Sequence, residues 1–444
     1  MATIFIIFAP PQKIILLTVK NIKKITLGAA AYLVSLNSIA QNTVNAQQTQ
    51  SEAELNTITT AVPFLLISPD SRAGALGDAG VSTSPDLSSI HWNPAKSAFM
   101  DGTMGFSLSY SPWLRNLVGD ISLAYLTGFY KIDRKSTISG SLRYFSLGDI
   151  TFTDINGNVI GNFRPNEFAL DVGYGLKLSE QFSFGMALRY INSNLTNGIN
   201  VNGTDTRPAQ SVGADVSAYW FNDKLRISDY DATVRAGINI SNLGAKMSYS
   251  DNNQSDFLPA NLRLGSSLQL DFDDYNSMTF ILEANKLLVP TPPTYLIDST
   301  GTVVIDPGGK PVVVSGKDPN VSIASGVFGS FNDAPGVVTG VNNDGSGVEV
   351  EGGSVLREEL SEVTISAGIE YWYDKQVAVR LGYFYENPLK GNRRYLTAGV
   401  GFKLSVFQFD ASYLIGNAQT NPLAGSVRFS LGFSFDDFAS QNKD

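Results

Sequence analysis

The last strand-like segment of the chain carries the feature that most constrains its fold. Residues 427–435 (VRFSLGFSF) alternate between large apolar side chains and small or charged ones. Successive side chains of a β-strand point to opposite faces, so this segment has one apolar and one polar face. Some fourteen segments of the sequence repeat the pattern. Strands with an apolar outward face and a polar inward face are typical of a transmembrane β-barrel. We therefore predict an all-β membrane protein with a 14-stranded antiparallel barrel.

The connections between the predicted strands alternate between long and short. The long connection 148–166 is followed by the short one 179–181, and the very long 288–361 is followed by 374–375. Outer-membrane barrels have short periplasmic turns and longer extracellular loops. The alternation therefore predicts an integral outer-membrane protein with its long loops on the cell surface and both termini on the periplasmic side.

Most strands have an obvious lipid-facing side. In the fourth strand it is Leu170, Val172 and Tyr174. In the second strand the pattern assigns Ile121, Leu123, Tyr125 and Phe129 to the lipid-facing side.

The predicted inward face carries charges of both signs in near balance. These positions are Arg143, Asp171, Lys177, Arg189, Asp215, Arg235, Arg263, Asp271, Glu283, Glu370, Arg380, Asp410 and Arg428. An ion-selective pore is more often lined by one sign of charge at its constriction. The mixed lining therefore predicts paired charges in a closed lumen.

The composition excludes several classes of function. The 444 residues include no Cys and a single His, so thiol chemistry and a His-pair metal site are excluded. We expect no metal and no cofactor. The net charge of −9 argues against nucleic acid as a partner.

The chain divides into five predicted segments. Basic residues precede an apolar run at 25–36, and small-residue cleavage sites follow, which is typical of an export signal. The apolar residues ahead of this signal suggest a true translation start further along the chain. A segment rich in Gly and other small residues then precedes the first strand, and we expect it to fold into the lumen as a hatch. The segments are a signal peptide (1–46), a short linker (47–57), an N-terminal hatch (58–100), the transmembrane barrel (101–435) and a C-terminal tail (436–444).

His91 is the one residue that could serve a hydrolase. Outer-membrane hydrolases usually pair a Ser nucleophile with a His base. His91 lies in the hatch segment between Ile90 and Trp92, without the context of a triad. We interpret it as a packed hatch residue and predict no catalytic residue and no enzyme.

The connection 289–361 is the largest predicted extracellular loop. Its stem, residues 286–293 (KLLVPTPP), is stiff and apolar at the membrane surface, which suits the docking of a protein. The residues DPGG at 306–309, between two Val-rich runs, predict a protruding hairpin. The tip at 325–353 is expected to be solvated and dispensable for docking.

The candidate site residues form two groups. The predicted cargo- and partner-binding residues, all in extracellular loops, are Trp113, Leu114, Arg115, Leu288, Val289, Pro290, Pro292, Pro293, Lys390 and Arg393. The predicted hatch residues are Pro63, Arg72, Asp78, His91, Trp92, Asn93 and Pro94.

Several motifs resemble known families. Asn93-Pro94-Ala95, immediately before the first strand, resembles the motif that ends the hatch in the FadL-like superfamily of barrels. A much longer part of the chain resembles the PorV family, also called LptO. This resemblance runs from about residue 58 to residue 435 and is weakest at 295–355. The resembling segments are 61–70 (AVPFLLISPD), 90–96 (IHWNPAK), 111–114 (SPWL), 142–148 (LRYFSLG), 165–169 (PNEFA), 239–244 (NISNLG), 285–293 (NKLLVPTPP) and 390–393 (KGNR).

The resemblance implies an outer-membrane component of the type IX secretion system that acts as a shuttle. Such a protein accepts cargo with a C-terminal signal domain from the translocon barrel and passes it to a sortase-like attachment complex. Its expected partners are these proteins and outer-membrane lipids. The alternative is a FadL-type transporter of fatty acids or other hydrophobic molecules, which would need an apolar pocket and a movable hatch. A third option, a lipid A deacylase, is opposed by the lone His91.

Overall fold

The protein folds as a closed barrel of fourteen antiparallel strands in the part of the chain that is described. The computed structural model describes residues 56–114, 119–153, 159–196, 198, 200–201, 204–250, 255–297, 302–341, 348–416 and 423–435. The predicted signal peptide, nearly all of the predicted linker and the predicted tail lie outside these residues. The predicted fold class is confirmed.

Each barrel strand pairs with the next one, and the last strand pairs with the first. The strands are β1 (Met104–Pro112), β2 (Ser122–Lys131), β3 (Ser136–Ser146), β4 (Asn166–Lys177), β5 (Phe182–Asn194), β6 (Ala209–Ile227), β7 (Tyr230–Gly244), β8 (Asn261–Asp271), β9 (Asn276–Leu287), β10 (Thr364–Tyr373), β11 (Val377–Tyr385), β12 (Arg394–Leu404), β13 (Phe407–Ile415) and β14 (Val427–Phe435). The ladder between β1 and β14 opens with Met104 opposite Phe435 and closes the sheet. Closure leaves no unpaired strand edge toward lipid.

The predicted alternation of faces is confirmed on most strands. In β1, the exposed Phe106 and Leu108 alternate with the buried Ser107 and Ser109. Most of the predicted inward charges, among them Arg143, Glu283 and Arg380, are buried within the barrel.

The prediction for the second strand was wrong. Leu123, Tyr125 and Phe129 are buried on the inward face of β2, whereas Leu126 and Tyr130 are exposed on the outward face. The inward face is apolar here because it packs on the hatch, so both faces of β2 carry large apolar residues and the alternation is ambiguous.

The hatch lies inside the barrel and is built from short helical turns. They are the 3-10 helix Pro63–Leu66, α1 (Ser71–Gly74), α2 (Ser89–Trp92) and the 3-10 helix Pro94–Phe99. Asp70 caps α1 by accepting a hydrogen bond from the Ala73 amide at 3.0 Å. Asn93 caps the last turn by accepting one from the Ala95 amide at 3.0 Å.

The hatch threads the lumen from the long-loop end to the short-turn end. Asn56 donates its backbone N–H to the carbonyl of Leu389, in the long β11–β12 connection. At the other end, the ring of Phe99 packs edge-on against Phe221, near the short β6–β7 turn. The described chain therefore begins among the long loops. The predicted position of the N-terminus concerns residues that lie outside the described ones.

Inward-facing glycines of the wall let the hatch approach the strands closely. A Cβ added to Gly382 would overlap the backbone of Gly77, and one added to Gly185 would overlap the backbone of Ala95. The hatch backbone therefore lies directly against the sheet at these points.

The long β9–β10 connection has structure of its own. It contains α3 (Ile323–Gly329), α4 (Ser354–Ser361) and small strands, among them Thr294–Tyr295 paired with Val313–Ser315. The predicted hairpin at 306–309 is confirmed, since Ile305 bridges to Pro311 across it. No helix among the described residues is both long and apolar enough to span a membrane.

Candidate docking site at the long-loop end

The hatch is fixed to one side of the barrel by a buried charge network. The Arg72 guanidinium donates to Glu370 at 2.8 and 2.9 Å and to Asp86 at 2.9 Å. Arg380 donates to the same Glu370 at 2.6 Å and to Asp410 at 2.6 Å. Removing one partner of such a buried pair typically costs about 3–5 kcal/mol, because a buried charge is left uncompensated. Arg72 therefore ties the hatch firmly to β10.

Two further contacts hold the middle of the hatch. The Asp78 carboxylate accepts hydrogen bonds from Arg428 at 3.0 Å and from the Tyr395 hydroxyl at 2.6 Å. Glu283 of β9 accepts the backbone N–H groups of Gly80 and Val81 at 2.7 and 2.9 Å. These contacts join the hatch to three further strands of the wall, β9, β12 and β14.

His91 is packed within the hatch. Its Nδ1 accepts a hydrogen bond from Arg143 at 2.5 Å, and its ring lies edge-on to Trp92 and Tyr125. Its Nε2 has no hydrogen-bond partner in the described structure, so no Ser hydroxyl is aligned with it there. Within the described residues, no cluster of three or more His, Asp or Glu side chains could hold a metal ion.

The remaining predicted hatch residues also meet their surroundings. The Trp92 indole donates to Asp70 at 2.7 Å, and the Asn93 amide donates to the carbonyls of Val81 and Ala218 at 3.0 Å. Pro94 is buried against β5, and Pro63 lines a cavity at the long-loop end. The structure thus brings all seven predicted hatch residues into the lumen or its mouth.

Beyond the lumen, the β9–β10 connection folds back onto the barrel rim through an acidic helix. Lys286 bonds to Glu359 at 3.0 Å and to Glu362 at 2.6 Å. Lys390 bonds to Glu358 at 2.7 Å and to Glu362 at 3.0 Å. These four ion pairs, all largely buried, fix α4 against the ends of β9 and the β11–β12 loop. We call the described part of 289–361 the loop lobe.

These glutamates are not among the site residues predicted from the sequence. The only available signal was the run of acidic residues at 358, 359 and 362, which has the spacing of a one-sided helical face. Their lysine partners lie elsewhere in the sequence, so the pairing could not be read from it.

The burial of the loop stem corrects the predicted docking patch. Leu288 and Val289 are each only 2% exposed and pack with Phe257 and Ala260. They are covered because the β7–β8 loop and α3 fold over them, so the expectation that they are open to a docking protein was wrong. Pro290 and Pro293 are also buried, whereas Pro292 is partly exposed.

The other predicted docking residues have mixed surroundings. Trp113 and Leu114 are partly buried and pack on Phe384 and Leu423. Lys390 is buried in its ion pairs, which also contradicts its expected availability to a partner. Arg393 is exposed, and its guanidinium pairs with Glu386 at 2.7 Å. Arg115 lies outside the described residues.

Two recesses open at the long-loop end. One, of about 480 Å3, lies above the hatch and is lined by Ile58, Leu66, Trp113 and Phe384 together with the Arg393–Glu386 pair. The other, of about 750 Å3, lies between the β7–β8 loop and the loop lobe. We call the second one the lobe groove. Its lining includes Pro290, Pro292, Phe257, Tyr295 and Lys246.

Comparison with known proteins identifies the family. The family model described as "Type IX secretion system protein PorV" matches residues 49–294, which is more than half of the chain. The chain belongs to the PorV family. A PorV-family protein with this barrel is an outer-membrane component of the type IX secretion system. A comparison with curated proteins finds no match.

Solved structures with a similar fold include transporters and channels. The toluene transporter TbuX of Ralstonia pickettii is 11% identical, with 83% of this chain and 98% of that chain covered and a TM-score of 0.42. The toluene transporter TodX of Pseudomonas putida is 11% identical, with 85% and 98% covered and a TM-score of 0.42. A FadL homologue of Pseudomonas aeruginosa is 11% identical, with 86% and 99% covered and a TM-score of 0.39. Membership of the PorV family rests on the sequence match and not on these likenesses.

Proposed function

We propose that this protein is a non-enzymatic shuttle for secreted proteins. It accepts the C-terminal signal domain of cargo that leaves the translocon barrel and delivers the cargo to a sortase-like attachment complex at the cell surface. One observation supports the proposal above all: the lumen of the barrel is filled, whereas the surface formed by the long loops has an open groove. The lumen holds the hatch under buried ion pairs, while the loop lobe is held rigid beside an open groove.

The filled lumen supports a surface role over conduction. Arg72 and Asp78 of the hatch are each bonded to charged residues of the wall, and the hatch backbone lies against wall glycines. A conducting path would require these contacts to break together. A carrier of protein cargo needs no such path.

The lobe groove has the chemistry of a protein-docking surface. Pro292 and Tyr295 offer partly exposed, stiff apolar contact, and the ring of Phe257 lies 4.1 Å beneath the Lys246 ammonium. Buried aromatic and apolar anchors usually dominate the energy of protein interfaces. The rim carries Lys310 and Asp318, which would orient a partner with both signs of charge.

A non-enzymatic role is supported by the setting of His91. Its Nδ1 accepts a hydrogen bond from Arg143, and no hydroxyl of the described residues bonds to its Nε2, whereas a general base must lie within hydrogen-bond reach of the group that it deprotonates. Delivery by binding alone fits this arrangement.

The test is site-specific photocrosslinking in cells that secrete type IX cargo. A photoreactive amino acid at Tyr295, in the lobe groove, should crosslink cargo that carries the signal domain. The matched control is Tyr275, which is 58% exposed in the short β8–β9 turn and should yield no cargo adduct.

Two outcomes would contradict the proposal. Equal crosslinking from both positions would mean that cargo contact is not specific to the long-loop end. Absence of cargo from Tyr295, with the translocon and attachment proteins also missing, would remove the lobe groove as a docking site.

Import of a small hydrophobic molecule is the second candidate, because of the recess of about 480 Å3 above the hatch. Its apolar lining from Ile58, Leu66 and Phe384 could hold such a molecule. Uptake of a labelled fatty acid into cells that lack other transporters would favour this function. Uptake unchanged by deletion of the gene would exclude it.

A further inference from the structure

The outer face of α4 exposes apolar side chains that nothing in the described chain covers. Leu356 and Leu360 are each 64% exposed and lie one helical turn apart. Residues at i and i+4 share one face of a helix. The ion pairs of Glu359, on a neighbouring face, and of Glu362, just past the end of the helix, fix the rotation of α4 and keep the two leucines outward.

These leucines form one wall of a groove on the outside of the barrel. The groove has a volume of about 420 Å3, and its lining also includes Val363, Tyr385 and Arg357. Tyr385 ends β11, whose exposed residues Leu381 and Tyr383 occupy alternate positions on the same outward face. The groove is therefore continuous with the lipid-facing surface of the wall.

Two cations border the same groove. Arg394 opens β12 on the outward face, directly opposite Tyr385 in the sheet, and its guanidinium carbon lies 5.4 Å from the Tyr385 ring centre. No carboxylate pairs with Arg394 among the described residues. Arg357 pairs with Glu351 at 3.0 Å, and both side chains are about half exposed. An exposed pair of this kind is weak, so a stronger anion can replace it.

We propose that this groove binds a phosphorylated acyl lipid of the outer leaflet. The acyl chains would lie along Leu356, Leu360 and Tyr385, and the phosphate would accept hydrogen bonds from Arg394 and Arg357. Guanidinium groups bind phosphate through two parallel hydrogen bonds, which suits arginine at this position. The inference depends on the outer-membrane location and is independent of cargo binding.

The test is native mass spectrometry of the purified full-length protein in detergent micelles. The probe is diphosphoryl lipid A, compared with the same lipid after enzymatic removal of its phosphates. We expect Arg394→Gln to weaken retention of the phosphorylated lipid by on the order of tenfold. The variant loses a charge-assisted hydrogen bond to the phosphate, and one such bond strengthens binding by about that factor. Arg134→Gln, in the exposed β2–β3 turn, is the charge-matched control and should bind like the unaltered protein.

The apolar half of the groove is tested separately. Leu356→Ser with Leu360→Ser should lower retention of both lipids, whereas Leu178→Ser, which removes a leucine 57% exposed in a short turn, should not. Equal binding of the two lipids by the unaltered protein would overturn the proposal. So would an Arg394→Gln variant that keeps full binding, or groove variants that lose a co-purifying membrane protein while their lipid binding is unchanged.

Discussion

At the scale of single residues, the wall glycines explain how a wide barrel holds its hatch. In the sequence they are only small residues on an inward face. In the structure they are the points where two backbones meet, as at Gly382 with Gly77 and at Gly185 with Ala95. A side chain at such a point would have to displace backbone, which cannot yield as a flexible side chain would.

We predict that Gly382→Ala loosens the hatch while the barrel still forms. Overpacking of this kind typically costs about 1–3 kcal/mol. The matched control is Gly140→Ala, where the added Cβ would lie 3.6 Å from the Asp171 carbonyl, an ordinary contact. The measurements are the heat-induced gel shift of the barrel and trypsin cleavage at Arg72 and Lys96. Equal protection of the hatch in both variants would contradict the close-approach argument.

At the scale of elements, buried carboxylates hold the loop lobe together and fix it to the barrel rim. Its Asp333 accepts a hydrogen bond from the Thr291 amide at 3.3 Å and lies near Glu359 and Glu362. Burial, followed in smaller measure by these two carboxylates, raises the pKa of Asp333 to about 6. The neutral form of the carboxyl therefore suits the folded lobe.

The sign of the pH dependence follows from this shift. The pKa of Asp333 is higher in the folded lobe than in an unfolded chain, so the folded lobe binds the proton more tightly. The lobe should gain stability as the pH falls from 7.5 to 5.5 and lose it again as the pH rises through about 6. Hydrogen exchange of the Asp333 and Ala334 amides, corrected for the intrinsic effect of pH, should be several-fold slower at pH 5.5. Asp333→Asn should abolish the difference, and an unchanged difference in that variant would assign it to another group.

Strands and lobe also differ in how far the sequence could predict them. Strand faces follow from a period of two wherever one face meets lipid and the other meets polar groups, as in β1. The rule fails in β2 because the hatch packs on its inward face, where Leu123 joins an apolar cluster with hatch residues and Tyr125 meets the ring of His91. The stem residues Leu288 and Val289 were misread for a related reason. Phe257 and α3 bury these two residues, and a contact between two separate loops cannot be predicted from the local sequence pattern of either one.

At the scale of the whole molecule, the number of strands determines how much interior space the hatch has to fill. Side chains can fill the interior of an eight-stranded barrel, whereas barrels of 16–18 strands leave an aqueous channel. Fourteen strands enclose a space too wide for wall side chains alone. The hatch fills it with buried backbone and side chains, including Ala75, Leu76 and Ala79, all fully buried.

We therefore predict negligible steady conductance for the protein in planar lipid bilayers. Deletion of residues 58–95 should produce stable open channels, because it removes the partners of Glu370, Glu283 and Arg428 and leaves those charges lining a water-filled lumen. The matched control is deletion of the hairpin 302–311, which shortens the loop lobe and leaves the hatch contacts intact, so it should stay closed. Large stable channels in the unaltered protein would show that the hatch leaves the lumen spontaneously. That result would contradict the proposal that the protein is a surface carrier and would favour a conducting channel.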